Sequence, residues 1–331
     1  MSTAPGSRTY VAGHRGLVGS ALVRRLRAGG NDNLLLRTHA ELDLEDGAAV
    51  RAFFERERPE QVILAAAKVG GILANNTFPG QFIHRNLVIQ SNVIGAAHEY
   101  GVRRLLFLGS SCIYPRDCPQ PIREEYLLTG PLEATNRPYA IAKIAGIETC
   151  WAFNREYGTH YLCVMPTNLY GPGDNYDLEG SHVLPALIRK MHEAKQRGDR
   201  EVVVWGTGTP RREFLYSDDM AEACLQLLGM PDEKFDALLA EYQPPLINVG
   251  CGEDVTIREL AEMVATVIGF QGGLVFDTSK PDGTLRKLLD VRRMFSLGWK
   301  PRVALREGVG AAYADFLGSV PTEAIAPELA Q

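Results

Sequence analysis

The chain has 331 residues and a formal net charge of −5, which suits one large or two modest domains with a sizeable core. Mild acidity argues against nucleic-acid binding, which needs a clustered basic surface. No apolar run approaches the ~20 residues that span a membrane. Residues 1–8 lack the apolar centre of a signal peptide, and the six cysteines match no zinc spacing. We therefore expect a cytoplasmic protein with reduced thiols, no metal, and no nucleic-acid or membrane partner.

A glycine-rich turn stands between the first predicted strand and the first predicted helix. The strand is Thr9–Ala12, the turn contains Gly13, Gly16 and Gly19, and helical periodicity follows over residues 20–26. This order is typical of a dinucleotide site, where glycines let the backbone approach a pyrophosphate and a helix N-terminus faces the phosphates. The sequence therefore predicts a dinucleotide cofactor at this turn.

Two arginines favour NADP(H) as that cofactor. An NAD site usually has an acidic residue about 20 residues further on, but the second predicted strand, residues 34–36, is followed by Arg37, and Arg15 lies within the glycine turn. Guanidinium groups bind phosphate in a bidentate manner, so both arginines suit a ribose 2′-phosphate. Two alternatives stay open: Arg37 is a solvated strand-end charge, or Glu41 and Asp43 face the adenine.

Short apolar runs then alternate with helical stretches. Further strands are predicted at residues 62–67, 105–108 and 161–165, and helices at about 47–57, 79–99 and 138–157. Such alternation indicates an α/β fold with a doubly wound parallel Rossmann sheet, in which ligands bind beyond the carboxyl ends of the strands.

The pattern loosens after residue 172. A helix at about 183–197 and a strand at 202–205 indicate a smaller C-terminal substrate-binding lobe, and residues 246–250 indicate a strand that returns to the main sheet. We expect an NADP-binding Rossmann domain at 1–172 plus about 213–250, a substrate-binding lobe at about 173–212 and 251–318, and a tail at 319–331.

A tyrosine and a lysine lie four residues apart on a predicted helix. Tyr139 and Lys143 follow Pro138 and share one helix face. A nearby ammonium stabilises the phenolate, so the phenol can exchange protons closer to neutral pH than its reference pKa near ~10 allows. This pair can protonate a carbonyl oxygen as hydride reaches the carbon. Ser110, after the strand at 105–108, can bind the same oxygen. Taken alone, Tyr139 is also consistent with a half-buried structural residue, and Ser110 with a turn cap.

The order of a glycine turn, a strand-end serine and a YxxxK pair resembles the extended short-chain dehydrogenase/reductase family. Within it, several segments are similar to the GDP-L-fucose synthases: residues 13–19, 65–72, 108–115, 138–143, 165–172, 203–206, 212–215 and 280–283. The resemblance implies an enzyme that epimerises carbons 3 and 5 of GDP-4-keto-6-deoxy-D-mannose and then reduces the ketone with NADPH, giving GDP-L-fucose. It also implies a homodimer, formed through a helix pair such as 79–99 and 138–157.

Epimerisation next to a ketone needs an enolate stabiliser, a base and an acid. Ser110 and Tyr139 can stabilise the enolate oxygen. Cys112 has a reference pKa near ~8.5 that a cation can lower, and His182 titrates near neutral pH. Local sequence alone is equally consistent with Cys112 as a small buried side chain and His182 as a structural histidine. The resemblance implies that these two side chains carry the acid–base chemistry beside Ser110, Tyr139 and Lys143.

The resemblance also implies the binding residues. Cofactor contacts are expected at Gly13, His14, Arg15, Gly16, Leu17, Val18, Gly19, Arg37, Leu108, Gly109, Ser110, Ser111, Lys143, Pro166, Thr167, Asn168, Leu169 and His182. Substrate contacts are expected at Lys190, Trp205, Arg212 and Asp282. For the diphosphate we prefer Arg212 to its neighbour Arg211, because Arg212 begins a matching segment.

Three other functions stay open. A nucleotide-sugar 4,6-dehydratase would need carboxylates near Ser110, and neither Ser111 nor Cys112 provides one. A UDP-hexose 4-epimerase keeps NAD bound and would favour an acidic residue at the position of Arg37. An NADPH-binding regulator without turnover usually lacks the tyrosine or the lysine, and both are present here.

Overall fold

The computed structural model describes residues 6–178, 180–280 and 282–319. In chain order its strands are β1 (Thr9–Ala12), β2 (Leu34–Leu35), β3 (Gln61–Leu64), β4 (Arg104–Leu108), β5 (Tyr161–Pro166), β6 (Asn168–Tyr170), β7 (Glu201–Trp205), β8 (Arg211–Arg212), β9 (Phe214–Tyr216), β10 (Leu246–Val249), β11 (Val255–Thr256), β12 (Gly273–Asp277) and β13 (Arg286–Lys287).

The helices alternate with these strands. They are α1 (Leu17–Ala28), α2 (Gly47–Glu57), α3 (Ile72–Thr77), α4 (Pro79–Glu99), α5 (Arg137–Tyr157), α6 (Val183–Arg197), α7 (Ser217–Leu228), α8 (Asp232–Glu241), α9 (Ile257–Ile268), α10 (Arg292–Ser296) and α11 (Leu305–Ser319), with short 3₁₀ segments at Ser111–Ile113 and Glu124–Tyr126.

A six-stranded sheet in the order β10-β5-β4-β3-β1-β2 forms the centre of the protein. Every neighbouring pair in it is parallel, so the carboxyl ends of its strands meet at one edge. Because β10 joins β5, the predicted return of residues 246–250 to the main sheet is confirmed. The predicted doubly wound α/β Rossmann architecture is confirmed as well.

Three hydrophobic clusters hold this architecture together. Phe54, Val93 and Ile147 belong to the cluster between one sheet face and α2, α4 and α5. The opposite face is covered by α1, α7 and α8. A separate cluster unites α6, α9 and α11 with the small parallel pair of β7 and β12, which lies in the part of the chain where we expect the substrate lobe.

The predicted boundaries differ from the structure at two places near the glycine turn. The strand predicted at 62–67 ends at Leu64, because the next residues leave the sheet to pass Gly13, where the backbone of Ala66 lies too close for any side chain. The first helix begins at Leu17 rather than at residue 20. The helix therefore starts directly at the turn, which brings its N-terminus to the edge where ligands bind.

Several helices after residue 198 were not predicted. One of them, α9, begins with a complete capping box, in which the Thr256 side chain accepts from the backbone of Glu259 and the Glu259 side chain accepts from Thr256. This signal is visible in the sequence as threonine followed three residues later by glutamate. Residues 1–5 of the N-terminal segment and 320–331 of the predicted tail lie outside the described residues. Among the described helices, none has the length and apolar character needed to cross a membrane.

Candidate active site

Two glycines of the turn after β1 are required by the packing of the protein itself. Gly13 has a φ of +83°, and a Cβ there would lie 2.7 Å from the backbone nitrogen of Ala66. A Cβ at Gly19 would collide with the carbonyl oxygen of Gly13. These two positions let α1 and the loop after β3 approach the end of β1 closely.

Gly16 is different, because nothing in the protein crowds it. An added Cβ would meet only the Gly13 carbonyl oxygen, at an ordinary 3.5 Å, and the residue is exposed. Its N–H donates to that oxygen at 3.0 Å, and it stands immediately before α1. The missing side chain therefore leaves open space in front of a helix N-terminus, whose N–H groups and dipole attract phosphate. These features fit the pyrophosphate of a dinucleotide.

The two arginines expected at the 2′-phosphate have different surroundings. Arg15 is exposed, and within the described parts of the chain its guanidinium has no hydrogen-bond or ion-pair partner. Arg37 instead donates to Glu57 at 2.9 Å and lies over the ring of Phe53. The Glu41 carboxylate is bonded to Thr38, which lowers its pKa, and it lies within reach of both arginine charges. Arg15 is thus the more available of the two.

Lys143 is fixed beneath the end of β4. Only 3% of the residue is exposed, and its Nζ donates to the Leu108 carbonyl oxygen at 2.8 Å. The same Nζ lies 5.8 Å from the centre of the Tyr139 ring, as expected for residues on one helix face. Burial lowers the pKa of Lys143 to about 8.

Tyr139 packs edge-on against Phe82, with ring centroids 6.2 Å apart. Burial raises the pKa of its phenol, and hydrogen bonding with Ser110 opposes that rise. The expectation that Lys143 brings the phenol closer to neutral pH is therefore wrong as a net effect. The loss of solvation on burial raises the pKa of the phenol more than neighbouring groups lower it. The Lys143 ammonium is moreover bonded to Leu108 rather than to the phenol.

Cys112 lies in the 3₁₀ segment directly after Ser110 and is 7% exposed. Its N–H donates to Ser110 Oγ at 3.4 Å. Burial raises the pKa of its thiol, while Lys287, Ser110 and Lys143 act to lower it. The expectation of a net lowering by a cation is therefore wrong. A cation nevertheless acts on the thiol. Among the groups that lower the pKa of Cys112, the Lys287 ammonium has the largest effect.

His182 stands immediately before α6 and keeps an exposed surface. Desolvation by the surrounding protein and the Lys287 charge both lower the pKa of His182 from its ordinary value. Since the Lys287 charge acts on both Cys112 and His182, the structure brings the two predicted acid–base residues into one neighbourhood.

Lys190 and Trp205, two of the expected substrate residues, are neighbours. The Lys190 ammonium lies 4.9 Å from the centre of the Trp205 ring, and a second ammonium, from Lys280, lies 5.5 Å from it. Trp205 is 55% exposed. The indole therefore forms an open flat surface flanked by two positive charges, which suits an anionic ligand with a planar ring.

Arg212 and Asp282 form the second part of the expected substrate site. Arg212 donates to the Thr284 carbonyl oxygen at 2.6 Å, the Asp282 charge acts on it, and it forms no salt bridge with a described carboxylate. Its neighbour Arg211 is held by Asp254 at 2.7 Å. The guanidinium of Arg212 thus keeps donors for a ligand, whereas Arg211 has a structural partner.

The remaining expected cofactor segments lie at the carboxyl ends of β4 and β5. Gly109 donates to the Val164 carbonyl oxygen at 2.9 Å, and the Met165 side chain fills the place where a Cβ would stand. Thr167 Oγ1 and Asn168 Nδ2 both donate to the carbonyl oxygen of Glu213, at 3.1 and 2.8 Å. Those side chains hold the segment in place beside the edge of the sheet.

Two residues near the site were missed by sequence reasoning. Lys287 is brought in by β13, which pairs with β8 so that Lys287 lies opposite Arg212. Glu133 accepts hydrogen bonds from the backbone N–H groups of Thr135 and Asn136, at 3.0 and 3.1 Å, and so supports the start of α5. Lys287 follows closely after the matching segment at 280–283, which was the available signal.

A third missed residue, Glu213, is fully buried. Its carboxylate accepts from the N–H groups of Gly252 and Leu289, at 2.7 and 3.0 Å, and burial raises its pKa. Its neighbour in the sequence is Arg212, and its own carbonyl holds the segment after β5. Glu213 therefore joins the expected cofactor segment to the expected substrate segment.

A parallel sheet with a glycine turn at its edge, and a tyrosine–lysine pair beside a strand-end serine, define a Rossmann-type protein of the short-chain dehydrogenase/reductase class. A family model described as the NAD dependent epimerase/dehydratase family matches residues 9–250. The chain belongs to this family, and its predicted place among the extended short-chain dehydrogenases/reductases is confirmed.

Individual relatives agree with this assignment. The chain is 58% identical to GDP-L-fucose synthase 1 of Arabidopsis thaliana over 314 residues, which cover 95% of this chain and 94% of that protein. It is 56% identical to GDP-L-fucose synthase of Escherichia coli over 312 residues, covering 94% of this chain and 96% of that protein. A GDP-L-fucose synthetase of Naegleria fowleri bound to NADP superimposes with a TM-score of 0.86 at 29% identity, covering 96% of this chain and 95% of that structure.

Proposed function

We propose that this protein converts GDP-4-keto-6-deoxy-D-mannose to GDP-L-fucose with NADPH, by epimerising carbons 3 and 5 and then reducing the ketone at carbon 4. The observation that carries the proposal is the assembly of Ser110, Cys112, Tyr139 and Lys143 at one strand edge, with His182 within reach of the same Lys287 charge as Cys112. Relatives more than half identical over nearly their whole length carry the name of this activity.

We assign cofactor binding to the glycine turn and the neighbouring strand ends. The open backbone at Gly16 and the N-terminus of α1 would hold the pyrophosphate, and Arg15 would hold the 2′-phosphate. Arg37 can contribute only by giving up its bond to Glu57. Lys143 would bind the ribose next to the nicotinamide. When bound, NADPH supplies the hydride that reduces carbon 4.

For the reduction we assign proton delivery to Tyr139. Its raised pKa keeps the phenol protonated, which is the form required to donate a proton to the ketone oxygen as negative charge develops there. Ser110 would donate a second hydrogen bond to the same oxygen. Lys143, held by Leu108, contributes a positive charge behind the phenol.

For the epimerisation we assign the base to Cys112 and the acid to His182. A thiolate at Cys112 would take the proton from carbon 3 or 5, and the electron pair would move to the carbonyl oxygen, which Ser110 and Tyr139 stabilise as an enolate. His182 would return a proton to the opposite ring face. Both reactions thus use one oxygen-binding pair, Ser110 and Tyr139, on one substrate.

We assign the GDP moiety to the smaller lobe, residues about 173–212 and 251–318, and the cofactor to residues 1–172 plus about 213–250. Arg212 and Lys190 supply positive charge for the diphosphate, Trp205 supplies an exposed ring, and Asp282 can accept from sugar or ribose hydroxyls. A competing dehydratase function would need a free carboxylate beside Cys112. Glu133, which lines the same cavity as Cys112, already accepts hydrogen bonds from the N–H groups of Thr135 and Asn136 just before α5.

We further propose a homodimer that pairs α4 and α5 with the same helices of a second copy, and a cytoplasmic location. Ile141 and Tyr157 of α5 are 42% and 48% exposed, which supplies apolar surface for such a contact. All six cysteines are free thiols, as a reducing compartment requires.

The test combines the purified protein with NADPH and GDP-4-keto-6-deoxy-D-mannose, follows the absorbance of the reduced nicotinamide, and identifies the product by NMR. We expect consumption of NADPH and formation of GDP-L-fucose. The Tyr139→Phe variant is the control, because it loses one hydroxyl and nothing else. NADPH consumption without GDP-L-fucose, or no consumption at all, would contradict the proposal.

A further inference from the structure

A small cavity of about 30 Å³ lies between Cys112 and the strand β13. Its wall includes Cys112, Glu133, Asn136 and, from β13, Arg286 and Lys287. Cys112 and Lys287 are 175 residues apart in the chain. They meet because β13 pairs with β8 at the position of Arg212.

The two basic residues of β13 differ in how their charges are balanced. Arg286 is bound by the Asp254 carboxylate at 2.5 Å. Lys287 is partly buried, yet among the described residues its ammonium has no hydrogen-bond acceptor and no ion-pair partner. An unpaired cation held away from water is costly. Its charge is therefore available to stabilise a negative charge that forms in the cavity.

Two side chains in the wall of this cavity can carry negative charge beside Lys287, the Glu133 carboxylate and the Cys112 thiol. The Lys287 charge lowers the pKa of Cys112, where it opposes the effect of burial. It also lowers the pKa of His182, where burial acts in the same direction. The other charged or titratable groups that face Cys112 or Lys287 are Lys143, Tyr139, Glu133, Arg212 and Cys118. Among the groups that lower the pKa of the Cys112 thiol and so favour the thiolate, Lys287 has the largest effect.

We propose that Lys287 is the positioning residue for proton transfer: its ammonium, in the cavity wall beside Cys112, stabilises the thiolate that Cys112 must form before it accepts the proton from the sugar carbon. The inference rests on the proposed function, in which Cys112 is the base. In this step the carbon–hydrogen bond breaks, a sulfur–hydrogen bond forms, and the electron pair moves to the ketone oxygen. Lys287 keeps its proton throughout and does not touch the reacting atoms.

The test is a pH titration of the Cys112 thiolate in the full-length protein without substrate. The ultraviolet absorbance of thiolate is recorded for each variant and for the same variant with Cys112→Ser, and the difference reports Cys112 alone. Lys287→Met keeps the volume of the side chain and removes its charge. We expect it to raise the midpoint of thiolate formation by about one pH unit or more, the effect of losing a close opposite charge.

Two further variants separate charge from structure. Lys287→Arg retains the positive charge and should keep the parent midpoint. Arg286→Met removes a charge from the same strand and the same cavity wall, but one already neutralised by Asp254, and it should also leave the midpoint unchanged. Circular dichroism checks that each variant folds. Lys287→Gln replaces Lys287→Met if the methionine variant does not fold.

An unchanged midpoint in a folded, uncharged variant at position 287 would overturn the proposal, even if turnover were lost, because Lys287 would then act only on the substrate or the fold. An equal rise in Arg286→Met would overturn it as well. The titration uses no substrate and no cofactor. Its result can therefore be read even if the protein fails to convert GDP-4-keto-6-deoxy-D-mannose, so failure of the inference and failure of the proposed function remain distinguishable.

Discussion

The guanidinium of Arg37 donates to the carboxylate of Glu57 across 2.9 Å. This ion pair directs Arg37 toward α2, where it also lies over the ring of Phe53 at 5.4 Å. Arg15, in the glycine turn, has no such partner among the described residues. Of the two arginines that the sequence suggested for the 2′-phosphate, Arg15 is therefore the one with a free binding group.

The first prediction concerns the choice between NADP and NAD. Arg15→Ala should raise the Kd for NADP⁺ by about tenfold or more, since a hydrogen bond to a charged group contributes about 1.5–3 kcal/mol. The Kd for NAD⁺, which has no 2′-phosphate, should change little. Arg37→Ala should have a smaller effect than Arg15→Ala. Titration calorimetry with both nucleotides measures this.

Arg56→Ala is the matched control for Arg37→Ala, because Arg56 also contacts Glu57, at 3.1 Å, but lies on the exposed side of α2. A loss of NADP⁺ affinity in Arg37→Ala as large as that in Arg15→Ala would show that Arg37 leaves Glu57 to bind the cofactor.

The second prediction separates packing from binding within the glycine turn. Gly19→Ala should lower the free energy of unfolding by about 1–3 kcal/mol, because its Cβ would collide with the Gly13 carbonyl oxygen. Gly16→Ala should leave stability within about 0.5 kcal/mol, because its Cβ has room. It should nevertheless weaken NADP⁺ binding. Denaturant unfolding and calorimetry measure the two effects, and equal destabilisation by both variants would contradict this account.

The third prediction is a pH dependence that originates from Lys143. Burial lowers its pKa to about 8, so the ammonium is present below that pH and is lost as the pH rises through it. The affinity for NADP⁺ should therefore fall as the pH rises through about 8. In Lys143→Met the affinity for NADP⁺ should be lower at every pH, and it should no longer fall as the pH rises through about 8. A Lys143→Met profile parallel to that of the parent would mean that another group titrates.

The fourth prediction distinguishes two adjacent arginines. Arg212→Ala should weaken GDP binding by about tenfold or more, the cost of losing hydrogen bonds to a phosphate. Arg211→Ala should instead reduce stability, because Asp254 loses a partner at 2.7 Å, while GDP binding stays close to that of the parent. GDP calorimetry and thermal unfolding on both variants give the comparison. The reverse pattern would move the phosphate site to Arg211.

The central sheet was predictable because its strands are short apolar runs bounded by turns, and the long helices between them have clear periodicity. Helices α2, α4 and α6 begin and end at the predicted residues. The two-residue strands β8, β11 and β13 were not predictable, because two residues carry no period. Their pairing depends on tertiary contacts.

The candidate site likewise contains residues that could be predicted from the sequence and residues that could not. Tyr139, Lys143 and Ser110 follow local motifs and could be found from the sequence. Lys287 could not, since it reaches Cys112 only through the pairing of β13 with β8. The net pKa shifts of Tyr139 and Cys112 also could not be anticipated, because burial, which raises both, is a property of the folded protein.

The most direct test of the central claim is deuterium exchange in heavy water, with GDP-4-keto-6-deoxy-D-mannose as substrate and NMR as the readout. The parent protein should incorporate deuterium at carbons 3 and 5. Cys112→Ser and His182→Asn should slow this exchange more than they slow reduction, so that GDP-6-deoxy-mannose-type products accumulate. Full exchange at both carbons in both variants would contradict the account, because the acid and the base would then have to be other residues of the cleft.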